Sequence, residues 1–352
     1  MTSRPRNRDP VSSVVETIDI GNDEWLSFLR CHERATPFHH PAWAKVLSQV
    51  YGFPVLAFIT RAPDGAIAAG LPAIRVPSLG RRSCWKCLPF TDTCGPLGGH
   101  HETNVLACAL RDRPDEDWEV RSSVPGLGAV RTVAVRHCLD LRPGVDAVYA
   151  GFHRSQVQRA LRRAERERIV RVREANVRGD LTDVYYGLHV GTRKRQGVPP
   201  QPRRLFAAIW DELHTAGLAT TRLAEIEGRP VAGAVFLHWN GTLVYKYGAS
   251  RPDTWKAHPN HMIFWEAIRE ACATEMTLLD LGLSDPSNQG LRVFKSNWGA
   301  QEEDLQYTFS RSAAHLCRPS HSRTQKLLGA AIRRSPPRIC EWIGTALYRF
   351  AA

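Results

Sequence analysis

The feature that most limits the fold is a run of three adjacent strand patterns followed by a helix and a further strand. These elements lie at residues 221–226, 231–239, 242–249, 260–273 and 277–281. A turn containing Gly228 joins the first two strands, and Asn240-Gly241, a pair typical of two-residue hairpins, joins the next two. A hairpin array followed by a helix and a returning strand predicts a mixed, mostly antiparallel sheet covered by helices.

The first half of the chain repeats this order of elements. Helical patterns at 23–32 and 40–51 precede strand patterns at 54–59 and 66–76, and the apolar run at 66–70 takes the place of the run at 231–235. The repeat predicts two α/β (α+β) domains of similar architecture. The predicted boundaries are a disordered tail at 1–14, a first domain at 15–143, a second domain at 144–312 and a helical C-terminal extension at 313–352.

The overall charge and the cysteines indicate the kind of partner and the cellular compartment to expect. The 352 residues carry a formal charge of +12, which favours anionic partners such as phosphorylated substrates, tRNA or a membrane surface. Nine cysteines are scattered, and Cys84 and Cys87 form the single C-x-x-C pair, so we predict reduced structural thiols and no metal. Residues 1–10 are polar and basic, without the apolar segment of a secretory signal, and no transmembrane run occurs, so we expect a cytoplasmic protein.

Three parts of the chain are rich in basic residues. The helix predicted at 144–168 could grip phosphates or form a solvated face, and the segment 192–200 is predicted to be a basic loop. Short helical patterns at 324–332 and 339–350 pair apolar residues with Arg or Lys. They could clamp onto the protein body or lie on an anionic membrane, which leaves peripheral association with the inner face of the membrane open.

A stretch in the last third carries the strongest candidate site. Asp280 lies in the short strand 277–281, a loop rich in turn residues follows, and Lys295 then lies between Phe294 and Trp298. A lysine flanked by two aromatic residues is either a surface cation whose stem covers apolar surface or a fixed cation that faces an anionic ligand.

This stretch resembles the closing signature of the Fem-type acyltransferases, in which D-x-G is followed about a dozen residues later by G-L-x-x-F-K-x-x-W-G. The resemblance extends over roughly residues 20 to 310. Its other carriers are the segments Ala-Thr-Pro-Phe at 35–38, Pro-Ala-Trp at 41–43, Pro-Phe-Thr-Asp-Thr-Cys-Gly-Pro-Leu at 89–97, the basic segment 192–197, Gly-Arg-Pro-Val-Ala at 228–232, Tyr-Gly-Ala-Ser at 247–250 and Pro-Asn at 259–260.

The resemblance implies two tandem acetyltransferase-like (GNAT) domains with the substrate in the cleft between them. It implies an N-acyltransferase that moves an acyl or aminoacyl group to the amine of an amino sugar, amino acid or cell-envelope precursor by direct attack. The implied candidate catalytic residues are Asp92 and Asp280, to orient or deprotonate the amine, and Tyr247, to donate a hydrogen bond to the oxyanion. The implied substrate-binding residues are Lys295, Arg193, Arg195, Trp298 and Asn260.

Two departures from the family pattern leave the donor open between acyl-CoA and aminoacyl-tRNA. Coenzyme-A-dependent acetyltransferases carry a glycine-containing loop whose amides hold pyrophosphate before a helix, whereas residues 255–261 contain no glycine. The bridge-forming members often carry a coiled-coil arm for tRNA, and no long heptad segment occurs here.

Alternative functions remain open at this stage. The chain lacks G-x-S-x-G, H-E-x-x-H, P-loop and dinucleotide motifs, which is consistent with direct acyl transfer without a metal. One alternative is a non-catalytic binding module for anionic envelope precursors, and a second is a peptidoglycan-bridge transferase that depends on aminoacyl-tRNA. A third is a nucleic-acid binder that uses the basic residues of 154–168.

Overall fold

The computed structural model describes residues 14–76, 84–113, 116–310 and 323–348. Contacts divide these residues into two compact units. The first comprises the described parts of Met1–Ala44, Phe53–Thr132 and Gln306–Cys317, and the second those of Lys45–Gly52, Val133–Leu305 and Arg318–Ala352. The predicted tail at 1–14 lies outside the described residues except for Val14, and the predicted domain boundaries stay predictions.

The first part of the chain forms strands and three helices. In order they are β1 (Glu16–Asp19), α1 (Asp23–Arg30), α2 (Pro41–Tyr51), β2 (Val55–Arg61), β3 (Ile67–Val76), β4 (Cys84–Lys86), β5 (Leu97–Gly98), α3 (His100–Arg111), β6 (Asp117–Val120) and β7 (Ala129–Asp140). Asn22 caps α1 by accepting a hydrogen bond from the Glu24 amide, and Asp23 and Glu24 place negative charge at its positive end.

The first unit has a mixed sheet with the order β1-β2-β3-β4-β6, to which β5 adds by pairing with β3. Only β4 and β6 run parallel among these described strands; the other pairs are antiparallel. Its core is aromatic, because the Phe58 ring lies 4.7 Å from that of Trp85 and 4.9 Å from that of Trp118. Such edge-to-face pairs add to the burial of large apolar area.

The second part of the chain supplies the elements that build the candidate site. In order they are α4 (Val145–Ala150), α5 (Arg159–Glu167), β8 (Val170–Glu174), α6 (Tyr186–Gln196), α7 (Arg203–Ile209), β9 (Ala219–Ile226), β10 (Arg229–Trp239), β11 (Thr242–Ser250), α8 (Pro259–Ala273), β12 (Leu278–Ser284), α9 (Gln289–Ser296), β13 (Gln301–Phe309), α10 (Arg323–Arg334) and α11 (Pro337–Leu347). π-Helical turns precede α5 and α6 and follow α7.

The sheet of the second unit has the order β7-β12-β11-β10-β9-β8. The β9–β10–β11 hairpins confirm the predicted array, and Asn240 and Gly241, with φ of 50° and 72°, form the tight turn that requires left-handed backbone at both positions. The helices α4, α5 and α8 pack on this sheet and bury a core that includes Phe152, Leu161 and Ile268. The predicted mixed, mostly antiparallel sheet covered by helices is therefore confirmed.

Two local expectations were wrong. The segment predicted as a basic loop at 192–200 is helical through Gln196, because α6 continues until Gly197 ends it in the left-handed conformation with a φ of 71°. The helix predicted at 144–168 is instead α4, a π-helical turn and α5, separated at Gly151–His153. Arg193 and Arg195 consequently lie on the last helical turn, where a cation complements the negative end of the helix dipole.

The two C-terminal helices pack on α6 within the second unit. Gly344 of α11 lies against the Pro200 carbonyl so closely that a Cβ atom would overlap it, and the Tyr348 hydroxyl donates to the Pro199 carbonyl at 3.2 Å. The inner faces of the pair bury Ile332 and Cys340. Among the described residues, no helix combines the length and the apolar character needed to cross a membrane.

Candidate active site

The candidate site lies where the parallel strands β11 and β12 separate. Their pairing joins Thr242–Val244 to Leu278–Asp280, and both strands continue past these residues, to Ser250 and Ser284. On its other edge β12 pairs with β7, with a shift of register between Asp280 and Leu283. We call the continuing segments, 245–250 and 281–284, the fork.

A β-bulge directs the tyrosines of β11 to opposite faces of the sheet. In the pairing with β10, Val235 faces Tyr247 and Phe236 faces Tyr245, so Lys246 is an extra residue in β11. Two residues with a spacing of two would otherwise share a face. Tyr245 instead packs on Phe264 of α8 at 4.7 Å, whereas the Tyr247 ring lies 5.5 Å from Phe206 of α7.

The Asp280 carboxylate is buried and fully engaged at the start of the fork. Its Oδ2 accepts from Arg136 Nε at 2.9 Å and lies 2.8 Å from Arg136 Nη2, while its Oδ1 accepts from the Gly282 amide at 2.8 Å. Burial lowers the pKa of Arg136, but the charge of Asp280, its hydrogen bond and the nearby Cys138 and Glu303 together raise it. Both oxygens of the Asp280 carboxylate already accept hydrogen bonds from fixed donors, so this geometry favours an orienting role for Asp280.

The Lys295 ammonium is buried at the end of the same strand. Only 4% of Lys295 is exposed, and its Nζ donates to the carbonyl oxygens of Gly282 at 2.9 Å and of Leu283 at 2.8 Å. Gly282 has a φ of 74°, a conformation that glycine adopts without steric cost, and it lies within the register shift of β12. The irregular strand thus presents two carbonyls to the last turn of α9, and Asp280 and Lys295 meet at Gly282.

A cluster of aromatic side chains surrounds Trp298, which lies just after the C-terminal end of α9. Trp298 is 1% exposed, and its ring lies 5.1 Å from Phe152, 5.4 Å from Phe264 and 5.6 Å from His261. Burial, and then the nearby His258, lower the pKa of His261 to about 4. The buried indole N–H of Trp298 and the buried hydroxyl of Ser284 have no hydrogen-bond partner among the described residues. Buried polar groups without partners are rare, so both are available to a ligand.

Two of the predicted binding residues, Arg195 and Asn260, donate hydrogen bonds to Ser250 at the end of β11. Its carbonyl accepts from Arg195 Nη1 at 3.2 Å, and its hydroxyl oxygen accepts from Asn260 Nδ2 at 3.3 Å. Thr192 exchanges two hydrogen bonds with its backbone. The Arg195 guanidinium also lies over the Trp255 ring at 5.3 Å, and burial lowers its pKa.

Arg195 lines an open cavity of about 700 Å³ beside α6. Gly187 and Gly191 of α6 line this cavity without side chains, and Arg251 also lines it. Arg251 pairs with Asp253, 2.7 Å from Nη2 to Oδ2. A cavity with two arginines on its rim is suited to an anionic or strongly polar group.

Arg193 lies apart from Arg195, as residues two positions apart on a helix do not share a face. Its Nη2 donates to the Tyr348 hydroxyl at 3.2 Å and its Nη1 to Gln196 Oε1 at 3.4 Å. Arg193 therefore joins α6 to the end of α11.

Asp92 belongs to the first unit. Its backbone carbonyl accepts from the Tyr307 hydroxyl at 2.7 Å, and the Arg121 guanidinium lies 5.4 Å from the Tyr307 ring. Burial lowers the pKa of Arg121, but Tyr307, Glu119 and Asp92 together raise it. Arg121, whose side chain is 16% exposed, also donates to the carbonyl of Thr91 and so contacts the Asp92 loop.

Sequence reasoning missed several residues of the site. Arg136 and His137 come from β7, more than 140 positions before Lys295, and no local pattern links them to it. Burial, and then the charge of Lys295, lower the pKa of His137. Ser250 ends the quoted segment 247–250 and Arg251 directly follows it, so the end of that strand was a usable signal. No cluster of three or more His, Cys, Asp or Glu side chains suited to a metal occurs in the described ranges.

Comparison with known protein families identifies a domain within the second unit. Residues 151–296 match the family model for the acetyltransferase (GNAT) domain. These residues form a GNAT acetyltransferase domain. The match covers the fork, α8 and α9, and with it the predicted enzyme class, an acyltransferase, is confirmed.

Solved structures extend the GNAT likeness beyond this domain. The crystal structure of FemX has a TM-score of 0.68 at 15% identity and covers 86% of this chain and 99% of that chain. The C-terminal domain of a putative lysylphosphatidylglycerol synthetase from Agrobacterium fabrum has a TM-score of 0.56 at 11% identity, with coverages of 84% and 93%. L-PGS from Bacillus licheniformis has a TM-score of 0.52 at 12% identity, with coverages of 90% and 98%.

These comparisons confirm the predicted resemblance to Fem-like tandem GNAT proteins at the level of the domain and the fold. A search of curated proteins found no match to the sequence. The chain is therefore an acyltransferase with a GNAT domain at residues 151–296, and its donor and acceptor are matters for proposal.

Proposed function

We propose that this GNAT protein transfers an acyl or aminoacyl group to the amine of an amino sugar, amino acid or cell-envelope precursor. The observation that carries this proposal is the Lys295 ammonium, buried at the fork of a GNAT domain and fixed by the carbonyls of Gly282 and Leu283. A buried, fixed cation stabilises negative charge far more strongly than a solvated one.

Lys295 has a defined task in this proposal. Attack of a neutral amine on an acyl carbonyl places negative charge on the carbonyl oxygen, and collapse of the tetrahedral intermediate releases the donor's leaving group. The Lys295 ammonium stabilises the anionic parts of donor or intermediate without giving up its proton. The Trp298 indole N–H and the Ser284 hydroxyl, both buried without hydrogen-bond partners among the described residues, are further candidate donors.

The remaining candidate residues divide the other tasks. Tyr247 donates a hydrogen bond to the oxyanion. Asp280, held by Arg136, orients the reactants through the β12 backbone. Asp92, which follows the Thr91 carbonyl that Arg121 contacts, is the candidate that orients or deprotonates the attacking amine. Loss of the amine proton completes the transfer.

The cavity beside α6 is the proposed place for an anionic part of the acceptor or donor. Arg195 and Arg251 lie on its rim, and Asn260 reaches Ser250 at the same end of β11. Guanidinium groups bind carboxylate and phosphate in a bidentate way, so the acceptor class that fits best carries one of these groups next to its amine.

For the donor, we propose acyl-CoA, with aminoacyl-tRNA as the alternative. The N-terminus of α8 follows Lys256 and His258, and no side chain caps it. Pro259 has no N–H, so the Asn260 amide is the first that can donate a hydrogen bond to a phosphate group. Burial, and then the charge of Arg163, lower the pKa of His258, while Glu167, the partner of Arg163, raises it. These features suit a compact diphosphate and substitute for the missing glycine loop.

A mass-spectrometric transfer assay tests the proposal. The wild-type protein and the Lys295→Ala and Lys295→Met variants are each incubated with acyl-CoA or charged-tRNA donors and with amino-sugar or amino-acid acceptors. Lys45→Met is the matched control, since the Lys45 side chain is 62% exposed and pairs with Glu212 instead. We expect a mass gain on one acceptor that the Lys295 variants lose and Lys45→Met keeps.

The alternatives predict other results. A non-catalytic binding module would bind anionic precursors in a manner that depends on Lys295 and form no covalent product with any donor. A nucleic-acid binder using the basic residues of α5 would be indifferent to Lys295 and lose affinity when Arg162 and Arg163 are neutralised. Either result, obtained with folded protein, would contradict acyl transfer.

A further inference from the structure

The C-terminal helices expose an unusual share of apolar surface. Four of the twelve exposed large hydrophobic side chains of the described chain lie within the 26 described residues 323–348. These are Leu327, Ile339, Trp342 and Leu347. Trp342 is 73% exposed and Leu327 is 72% exposed, more than any other large hydrophobic residue among those described. Single exposed apolar residues are ordinary, but a concentration in one helix pair is not.

The exposed residues of α11 form one stripe. Trp342, Ala346 and Ile339 fall within a narrow arc of the helix at the spacing of three and four residues. Cys340 and Gly344 face the other way, against the protein body. The helix is therefore fixed by one face while its opposite face presents a tryptophan and an isoleucine to the solvent.

Positive charge borders this stripe. Arg334 and Arg338 are exposed and flank the turn between α10 and α11. Residues 323–348 hold five basic residues and one acidic residue, so the pair has a net charge of +4 within a chain of +12. An apolar stripe with tryptophan at its centre and arginine at its edge matches the interface of an anionic lipid bilayer.

We propose that α10 and α11 dock the protein on an anionic lipid surface, with Trp342 and Ile339 inserted among the headgroups and Arg334 and Arg338 paired with lipid charge. A second copy of this chain is the weaker occupant, because two such faces would bring two clusters of +4 together. Through Tyr348, which accepts from Arg193, the same helices reach the end of α6 that carries Arg195. Docking would thus hold the acceptor cavity near a membrane.

Vesicle flotation measures this docking without any enzymatic step, so its outcome is independent of acyl transfer. The wild-type protein is mixed with neutral phosphatidylcholine vesicles and with vesicles containing about 30% phosphatidylglycerol, at low and physiological salt. Ile339→Ser/Trp342→Ser removes the apolar stripe. Ile169→Ser/Val177→Ser is its control, because these residues are 49% and 57% exposed elsewhere in the second unit.

A second pair of variants separates local charge from total charge. Arg334→Gln/Arg338→Gln and Arg159→Gln/Arg166→Gln lower the net charge equally, and all four arginines are exposed. We expect binding to anionic vesicles that falls at least about tenfold in both C-terminal double variants and changes less than about twofold in both controls. Circular dichroism verifies that each variant is folded.

Three results would overturn the proposal. The first is no binding of the wild-type protein to anionic vesicles at low salt. The second is equal loss in the C-terminal and control arginine variants, which would indicate attraction by total charge alone. The third is a wild-type dimer by light scattering that Ile339→Ser/Trp342→Ser converts to a monomer, which would identify a second copy as the occupant.

Discussion

At the scale of single residues, the site depends on charges that the fold buries and then pairs. Asp280 is 1% exposed and is held by Arg136 and the Gly282 amide. Lys295 is 4% exposed and is held by two carbonyls. Burying a charge costs free energy unless partners compensate for the lost water, so each of these groups depends on the other members of the cluster.

Asp280→Asn tests this dependence. The variant leaves the Arg136 guanidinium, whose side chain is 19% exposed, without its counter-charge, and we expect the free energy of unfolding to fall by about 3 kcal/mol. Asp211→Asn is the control, because the Asp211–Arg178 pair is 50% and 52% exposed and such pairs contribute about 1 kcal/mol or less. Urea denaturation measures both, and equal losses would contradict the structural role of Asp280.

His189 makes the stability of the fold depend on pH. Burial, and then the charge of Arg193, lower its pKa to about 3, while its Nε2 lies 2.7 Å from Gln201 Oε1. The unfolded chain binds a proton below pH 6.5 that the folded chain does not bind until about pH 3, so stability is lost as the pH falls through this window.

The expected slope is about 1.4 kcal/mol per pH unit for this one proton. Replacing His189 with Phe should therefore reduce the stability difference between pH 6.5 and pH 4.5 by about 2 to 3 kcal/mol. The exposed His101→Phe is the control and should leave the difference unchanged. Denaturation midpoints at the two pH values measure it, and an unchanged difference in His189→Phe would contradict the assignment.

At the scale of elements, the irregular end of β12 matters more than its regular part. Gly282 and Gly217 have φ values of 74° and 65°, so alanine at either position costs about 1 to 2 kcal/mol of strain. Of these two glycines, Gly282 is the one whose carbonyl accepts a hydrogen bond from Lys295. We expect Gly282→Ala to lower the transfer rate of the folded protein at least about tenfold and Gly217→Ala to leave it within about twofold. Equal transfer rates in the two variants would show that the backbone conformation of β12 at Gly282 does not affect the reaction.

The packing of α11 depends on a single glycine. A side chain at Gly344 would overlap the Pro200 carbonyl, whereas Ala346 is exposed on the same helix. We expect Gly344→Val to release α11 from α6, with amide hydrogen exchange faster by about 100-fold in Pro337–Leu347, and Ala346→Val to leave exchange unchanged. Slow exchange in Gly344→Val would indicate that other contacts suffice to hold the helix.

The sequence predicted helices, strands and turns better than it predicted contacts between residues that are distant in the chain. The hairpin array, the Asn240-Gly241 turn and the repeat of mixed sheets follow from local patterns, because turn residues and alternation act over a few positions. The end of α6 was misjudged, since Arg and Lys next to prolines suggested a loop while Gly197 sets the boundary. Arg136 could not be predicted as the partner of Asp280, because pairing between β7 and β12 joins positions 144 apart in the chain.

At the scale of the whole molecule, the charge of +12 makes donor use a measurable function of salt. A tRNA donor contacts many phosphates, so its kcat/KM would fall by about 10³ or more between 50 and 200 mM salt. The proposed acyl-CoA donor presents few charges, and we expect a fall of less than about tenfold. A steep dependence with the active donor would support the aminoacyl-tRNA alternative.

Acyl transfer at the fork of the GNAT domain is the central proposal for this protein. The most direct measurement is the single-turnover rate of transfer, by intact mass, for wild-type protein, Lys295→Met and Lys45→Met, with each value corrected for the folded fraction. Loss of one preorganised donor to an oxyanion costs about 100-fold, so we predict that loss for Lys295→Met and none for Lys45→Met. A folded Lys295→Met protein that transfers at the wild-type rate would contradict the central claim.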